Sequence, residues 1–144
     1  MAEPTLAEFY LRCDNLHREL YSVMSREWQE SGQAVRLGEN GLLLCLRSVR
    51  AGGDEGVTLF ELLPGAGIEP ASIVLNLDEW RRWFGEEEAD AIVRKVEAIH
   101  GLQHKRQNGM FSIIDPGHMS GPMQQGLRDE MLSLARRGSD MIAP

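Results

Sequence analysis

Histidine is the residue type in this chain with the most specific chemistry, because imidazole ligates zinc and also serves as a general base. His100 and His104 are four residues apart, the spacing of two ligands on one helical turn, and His118 adds a third imidazole. Gly101 is expected to end the helix between the first two, and no glutamate or cysteine nearby completes a ligand set. Metal binding through the three histidines is therefore kept as an alternative function, and no resident cofactor is expected.

Nucleophilic catalysis finds little support. No serine or cysteine sits on a glycine-flanked elbow, and Ser112, Asp115 and His118 are grouped only by their proximity in sequence. Cys13 and Cys45 fall on apolar faces of their predicted elements, which is typical of small packed hydrophobic residues. The glycine loops lack the Lys-Ser/Thr pair of a phosphate-binding loop. We predict no catalytic residue and expect a non-enzymatic protein.

Two adjacent arginines stand between two tryptophans at Trp80, Arg81, Arg82 and Trp83 within a predicted helix. Two interpretations are open. The aromatic side of this helix packs against a sheet while the arginines are solvated, or the group forms a partner interface, where tryptophan and arginine are common anchors. These four residues are our candidate interface.

The composition is that of an ordinary globular protein, with 42% hydrophobic and 26% charged residues in 144. One domain, residues 1–144, is expected. The longest apolar run, residues 42–46, is too short to span a membrane, and Glu3 and Glu8 stand where a signal peptide would be basic or apolar. We therefore expect a cytoplasmic protein without a membrane partner.

The formal net charge of −7 opposes binding to nucleic acid at long range. Arg36, Arg47 and Arg50, however, all fall in the predicted strand region. If they share one face of a sheet, they are the candidate nucleic-acid contacts.

The first predicted helix spans residues 5–31. Thr5 and Glu8 form a capping box at its start, apolar residues then recur at the helical period, and Gly32 ends it. His17 lies on its polar side and is expected to be solvated.

Two further helices are expected, at residues 76–100 and 122–137. Asn76, with Glu79 three residues on, caps the first of them, which is notched at Gly85. The second is expected to dock at an edge of the sheet.

Strands are expected at residues 34–37, 42–50, 57–63, 73–75 and 110–114. Asn40 followed by Gly41 predicts a hairpin between the first two, with both residues at positive φ. A register with Arg47 opposite Glu61 pairs opposite charges on the next two strands. The segment around His104 is predicted to be a polar link.

The sequence IVLNLDEW at residues 73–80, followed by DAIVRKV at 90–96, resembles the last strand and helix of the positive-cofactor-four family of transcriptional coactivators. VRLGENGLLLCLR at residues 35–47 is similar to the first hairpin of that family. The resemblance implies a curved antiparallel sheet that holds single-stranded DNA through basic and aromatic side chains, and dimerisation through the helix. It also implies that Arg36 and Arg47 contact the nucleic-acid backbone.

Together these features predict an α+β domain, in which the long N-terminal helix, the central helix and the C-terminal helix pack on an antiparallel sheet of four to five strands. The expected function is a non-enzymatic binding module, with single-stranded nucleic acid as its candidate ligand. Protein–protein interaction or assembly, a homodimer included, is the first alternative, and metal binding is the second.

Overall fold

Six strands form one antiparallel sheet in this computed structural model, which describes residues 5–48, 53–66, 68–99, 102–107 and 109–142. The strands in these ranges are β1 (Ala34–Leu37), β2 (Leu42–Ser48), β3 (Gly53–Leu63), β4 (Ser72–Asn76), β5 (His104–Gln107) and β6 (Met110–Ile114). Their order across the sheet is β1, β2, β3, β4, β6, β5. The expected α+β class is confirmed, with six strands rather than four or five.

Helices cover one face of this sheet. Those of the described chain are α1 (Leu6–Arg12), α2 (Asn15–Glu30), α3 (Leu77–Phe84), α4 (Glu86–Glu97) and α5 (Gly121–Ile142), with a 3-10 turn at Pro116–His118. Trp28 of α2 and Trp80 of α3 stand edge-on to Phe60 of β3, with ring centroids 5.7 and 5.5 Å away. Their indole N–H groups donate to the carbonyls of Cys45 and Leu59, each at 2.9 Å. The expectation that the tryptophan-bearing helix covers the sheet is confirmed.

The prediction of one helix over residues 5–31 is wrong, because the chain breaks into α1 and α2 at Cys13 and Asp14. Asp14 leaves the helical conformation and accepts a hydrogen bond from the backbone N–H of His17 at 2.9 Å, so it caps α2. The break changes which residues of α2 face the sheet. His17, expected to be solvated, is fully buried, and Leu16 is 48% exposed.

The predicted hairpin forms between β1 and β2, with Leu37 paired to Leu42. Neither Asn40 nor Gly41 adopts a positive φ, so the expected turn type is wrong. Glycine is needed at 41 for another reason. A Cβ there would collide with the carbonyl oxygen of Leu62 on β3.

The predicted register of β2 and β3 is also wrong. Glu61 lies opposite Leu43 rather than Arg47, and Cys45 lies opposite Thr58. Leu59 is an extra residue on β3, which makes a β-bulge. This register places the directly paired Leu44 of β2 and Phe60 of β3 in the core under the helices, a gain that outweighs one exposed ion pair.

The sheet ends at an edge strand, β5, where the sequence predicted a polar link. β5, containing His104, pairs with β6 along its whole length, and all four of its residues are exposed. Strand β6 and the Asn76 cap of α3 are confirmed, the cap oxygen accepting from the N–H of Glu79 at 3.3 Å.

The last two helices differ in part from expectation. Gly85, with φ 88°, separates α3 from α4 where a notch was predicted. α5 is longer than residues 122–137 and lies over β2 between α2 and the α3–α4 pair, not at a sheet edge. Leu127 and Leu134 bury its inner side. No helix of the described residues has the length and apolarity needed to cross a bilayer.

Candidate functional site

One row of paired residues crosses the sheet on the face opposite the helices. It runs Arg36, Leu43, Glu61, Val74, Ser112, Lys105, one residue from each strand. We call this side of the sheet the open face, because the helices of the described chain bury the other side. The row has cations at its two ends and a carboxylate at its centre.

A groove of about 210 Å³ lies at the middle of the open face. Its walls are mainly apolar, with Leu43, Leu59, Val74 and Met110, and its polar atoms come from Thr58, Glu61, Asn76 and Glu79. Leu59, the extra residue of the β3 bulge, is one of the residues that line the groove. Bulges bend the strand that carries them, which accounts for a concave surface here.

Glu61 is the least compensated charge of the groove. Within the described ranges its carboxylate makes no hydrogen bond or ion pair, whereas Glu79 accepts from the indole N–H of Trp83 at 3.1 Å and lies 3.8 Å from Arg82. Partial burial raises the pKa of Glu61 above its usual value of 4.5. The open face therefore presents a half-buried carboxylate for which the described part of the chain supplies no cationic partner.

The candidate nucleic-acid residues are only partly brought together. Arg36 and Arg47 are exposed, and strand alternation places both on the open face, near its β1–β2 side. Each already takes part in an interaction within the protein. Arg50 lies outside the described residues. No described strand residue of the open face is aromatic, since Phe60 and Phe111 point towards the helices.

The candidate interface on α3 is divided between core and surface. Trp80 is fully buried, so it offers no surface to a partner in this fold. Arg81 lies 3.6 Å from both Asp78 and Asp90. Arg82 is more exposed and stacks on the ring of Trp83 at 5.4 Å.

The predicted trio of metal ligands does not assemble among the described residues. His104 stacks on Phe111 and lies 3.7 Å from Glu97, away from His118, while His100 is outside the described ranges. A different set, Asp14, His17 and His118, brings its potential ligand atoms within 4.8 Å of one another. Sequence reasoning missed it because His17 was expected to be solvated.

Hydrogen bonding shows that this second set does not suit a metal ion. Nε2 of His17 accepts from the backbone N–H of Gly117 at 2.9 Å, so the ring proton is on Nδ1, which donates to Asp14 at 3.0 Å. A metal on Nδ1 would move the proton to Nε2, against the N–H of Gly117. A metal on Nε2 would displace the hydrogen bond that this atom accepts from the backbone N–H of Gly117. The same bonds from His17, the backbone one foremost, lower the pKa of Asp14.

Comparison of the chain with family models, with curated protein sequences and with solved structures finds no match in any of the three. The resemblance of residues 35–47 and 73–96 to the positive-cofactor-four family stays a prediction. In the structure these stretches form the β1–β2 hairpin and the β4 strand with the α3–α4 pair.

Proposed function

We propose that this protein is a non-enzymatic binding module that holds a segment of a partner protein on the open face of its sheet. The observation that carries the proposal is the groove, whose walls are apolar although no described helix covers them. Its centre is Glu61, a carboxylate that has no cationic partner among the described residues.

The pattern of the open face supports a macromolecular partner. An antiparallel sheet with one solvated face normally alternates apolar and polar residues, with the polar ones facing water. Here Leu43, Val74 and Met110 lie on the uncovered side. Apolar surface rimmed by polar residues is typical of protein interaction sites.

A protein segment fits this surface better than a nucleic acid does. Single-strand binding depends on aromatic stacking and on a basic groove. Of the described residues that line the groove, none is aromatic and two, Glu61 and Glu79, are acidic, and the net charge is −7. Arg36 and Arg47 stand at one side of the face rather than along it.

A display library of randomised linear peptides tests the proposal. Peptides selected on the full protein are expected to lose binding to the Leu43→Asp variant, because an aspartate in the groove wall removes apolar contact. Leu11→Asp is the matched control, since Leu11 is an exposed leucine on α1, 74% accessible. Circular dichroism and thermal melting establish that each variant folds.

Two results would contradict the proposal. In the first, the selected peptides bind the Leu43→Asp variant as tightly as the unmodified protein but no longer bind the Leu11→Asp variant. The other is a salt-dependent change in tryptophan fluorescence on adding a short single-stranded oligonucleotide, which would favour the nucleic-acid alternative. We expect no such change.

A further inference from the structure

Glu61 occupies the centre of the open face. It lies between Leu43 on one neighbouring strand and Val74 on the other, directly opposite each in register. The nearest cation of the same row, Arg36, is two strands away, a separation of about 10 Å. Glu61 and Arg36 are therefore not direct cross-strand neighbours.

Three other half-buried glutamates of the described chain lie close to an arginine. Glu27 receives Arg128, Glu88 receives Arg137 and Glu79 receives Arg82. Glu61 is more enclosed than an ordinary surface carboxylate and has no such partner in the described chain. A carboxylate desolvated without a partner lowers stability, so a cation that arrives from outside finds a favourable site.

The lining of the groove, apolar residues beside acidic ones, suits a side chain that is aliphatic along its length and positively charged at its tip. The groove has a volume of about 210 Å³, and Leu43, Val74 and Met110 give it apolar walls. Lysine and arginine bury their methylene stems on apolar surface and keep the charged end at a polar group. Thr58 and Glu79 add oxygen acceptors beside Glu61.

We propose that the groove receives a lysine or arginine side chain of the bound segment, with Glu61 as its counter-ion and the residue that sets this preference. The inference rests on the proposed function, because it names the chemistry of the segment that the open face holds. Glu61 thus acts as a specificity residue, and the surrounding apolar walls supply most of the contact area.

Selection of the same peptide library on the Glu61→Gln variant tests this inference. Peptides selected on the unmodified protein are expected to share a basic residue, and that enrichment is expected to disappear on Glu61→Gln. A selected basic peptide should bind Glu61→Gln about tenfold more weakly. Glu19→Gln, an exposed position on α2, is the matched control and should bind the peptide unchanged.

The outcomes separate this inference from the proposed function. Peptides that require Leu43 but carry no shared basic residue, or that bind Glu61→Gln equally well, overturn the inference and leave the open face as the binding site. A library that yields no peptide dependent on Leu43 overturns both. A replacement of the peptide's basic residue by norleucine, with no loss of affinity, also overturns the inference.

Discussion

The imidazole of His17 accepts a hydrogen bond at Nε2 from the backbone N–H of Gly117, 2.9 Å away and 100 residues later in the chain. This bond ties α2 to the 3-10 turn. Gln124 of α5 holds the same turn, since its side-chain amide lies 3.2 Å from the carbonyl of Gly117 and 3.0 Å from that of Met119. The 3-10 turn is thus held from two sides, by the buried His17 of α2 and by Gln124 of α5.

Replacement of Gly117 by alanine is expected to destabilise the protein by about 1–3 kcal/mol. The added Cβ would lie 2.9 Å from the ring of His17, which is fully buried and held from both sides. Gly121→Ala is the control, because nothing lies within 4 Å of a Cβ there. Urea unfolding measures both, and equal midpoints for the two variants would show that the turn is not clamped on His17.

The ion pair between Arg128 on α5 and Glu27 on α2 is expected to contribute about 1 kcal/mol to stability. Two guanidinium nitrogens of Arg128 donate to the two carboxylate oxygens of Glu27 at 2.7 and 2.9 Å. Each side chain is only about a quarter exposed. We expect Arg128→Met to lower the free energy of unfolding by that amount, and Arg136→Met, at an exposed position, to change it little. Denaturant titration at low and high salt should show the Arg128 effect shrinking with salt. An effect that salt leaves unchanged would assign the loss to packing instead.

The Glu61 carboxylate is expected to make stability fall as pH rises through its titration. Burial raises its folded-state pKa above the usual 4.5, so between the two values the folded protein holds more protons than the unfolded chain. At neutral pH Glu61→Gln should therefore be more stable, by up to about 0.5 kcal/mol because solvent screens the group. Thermal melting across the acid range should show this gain vanishing below the ordinary pKa, while a gain that persists there would come from another cause.

Both cysteine thiols are expected to resist labelling in the folded protein. Burial, with Asp14 adding to it, raises the pKa of Cys13 from 9.0 to about 11, and burial also raises the pKa of Cys45. At pH 8 the thiolate fraction of Cys13 is therefore about a hundredfold smaller than that of a thiol with the ordinary pKa of 9.0. Steric protection by the fold slows the reaction further. A disulfide reagent should react with both thiols in urea and slowly with either in buffer. Fast reaction of one thiol in buffer would place it at the surface.

The elements with strong local signals could be predicted from the sequence. The capping box at Thr5 and Glu8, the Asn76 cap and the break at Gly85 all act through backbone groups a few residues away. Asp14 was missed because apolar residues keep a helical period across it. Its capping bond restarts the helix in a new phase, and this turns His17 inward.

The parts that depend on distant pairing could not be predicted. β5 carries no apolar alternation, because an edge strand with four exposed residues needs none. Glu61 has its place at the centre of the open face only through the bulge at Leu59, which shifts the β2–β3 register. No local signal marks that bulge, so the groove was not anticipated.

Methyl NMR of the full protein with a selected peptide tests most directly whether the open face is the binding site. The signals of Leu43, Val74 and Met110 should shift saturably, while those of Leu11 on α1 and Leu132 on α5 stay in place. Shifts confined to the helix-side leucines, with the groove methyls unmoved, would contradict the account.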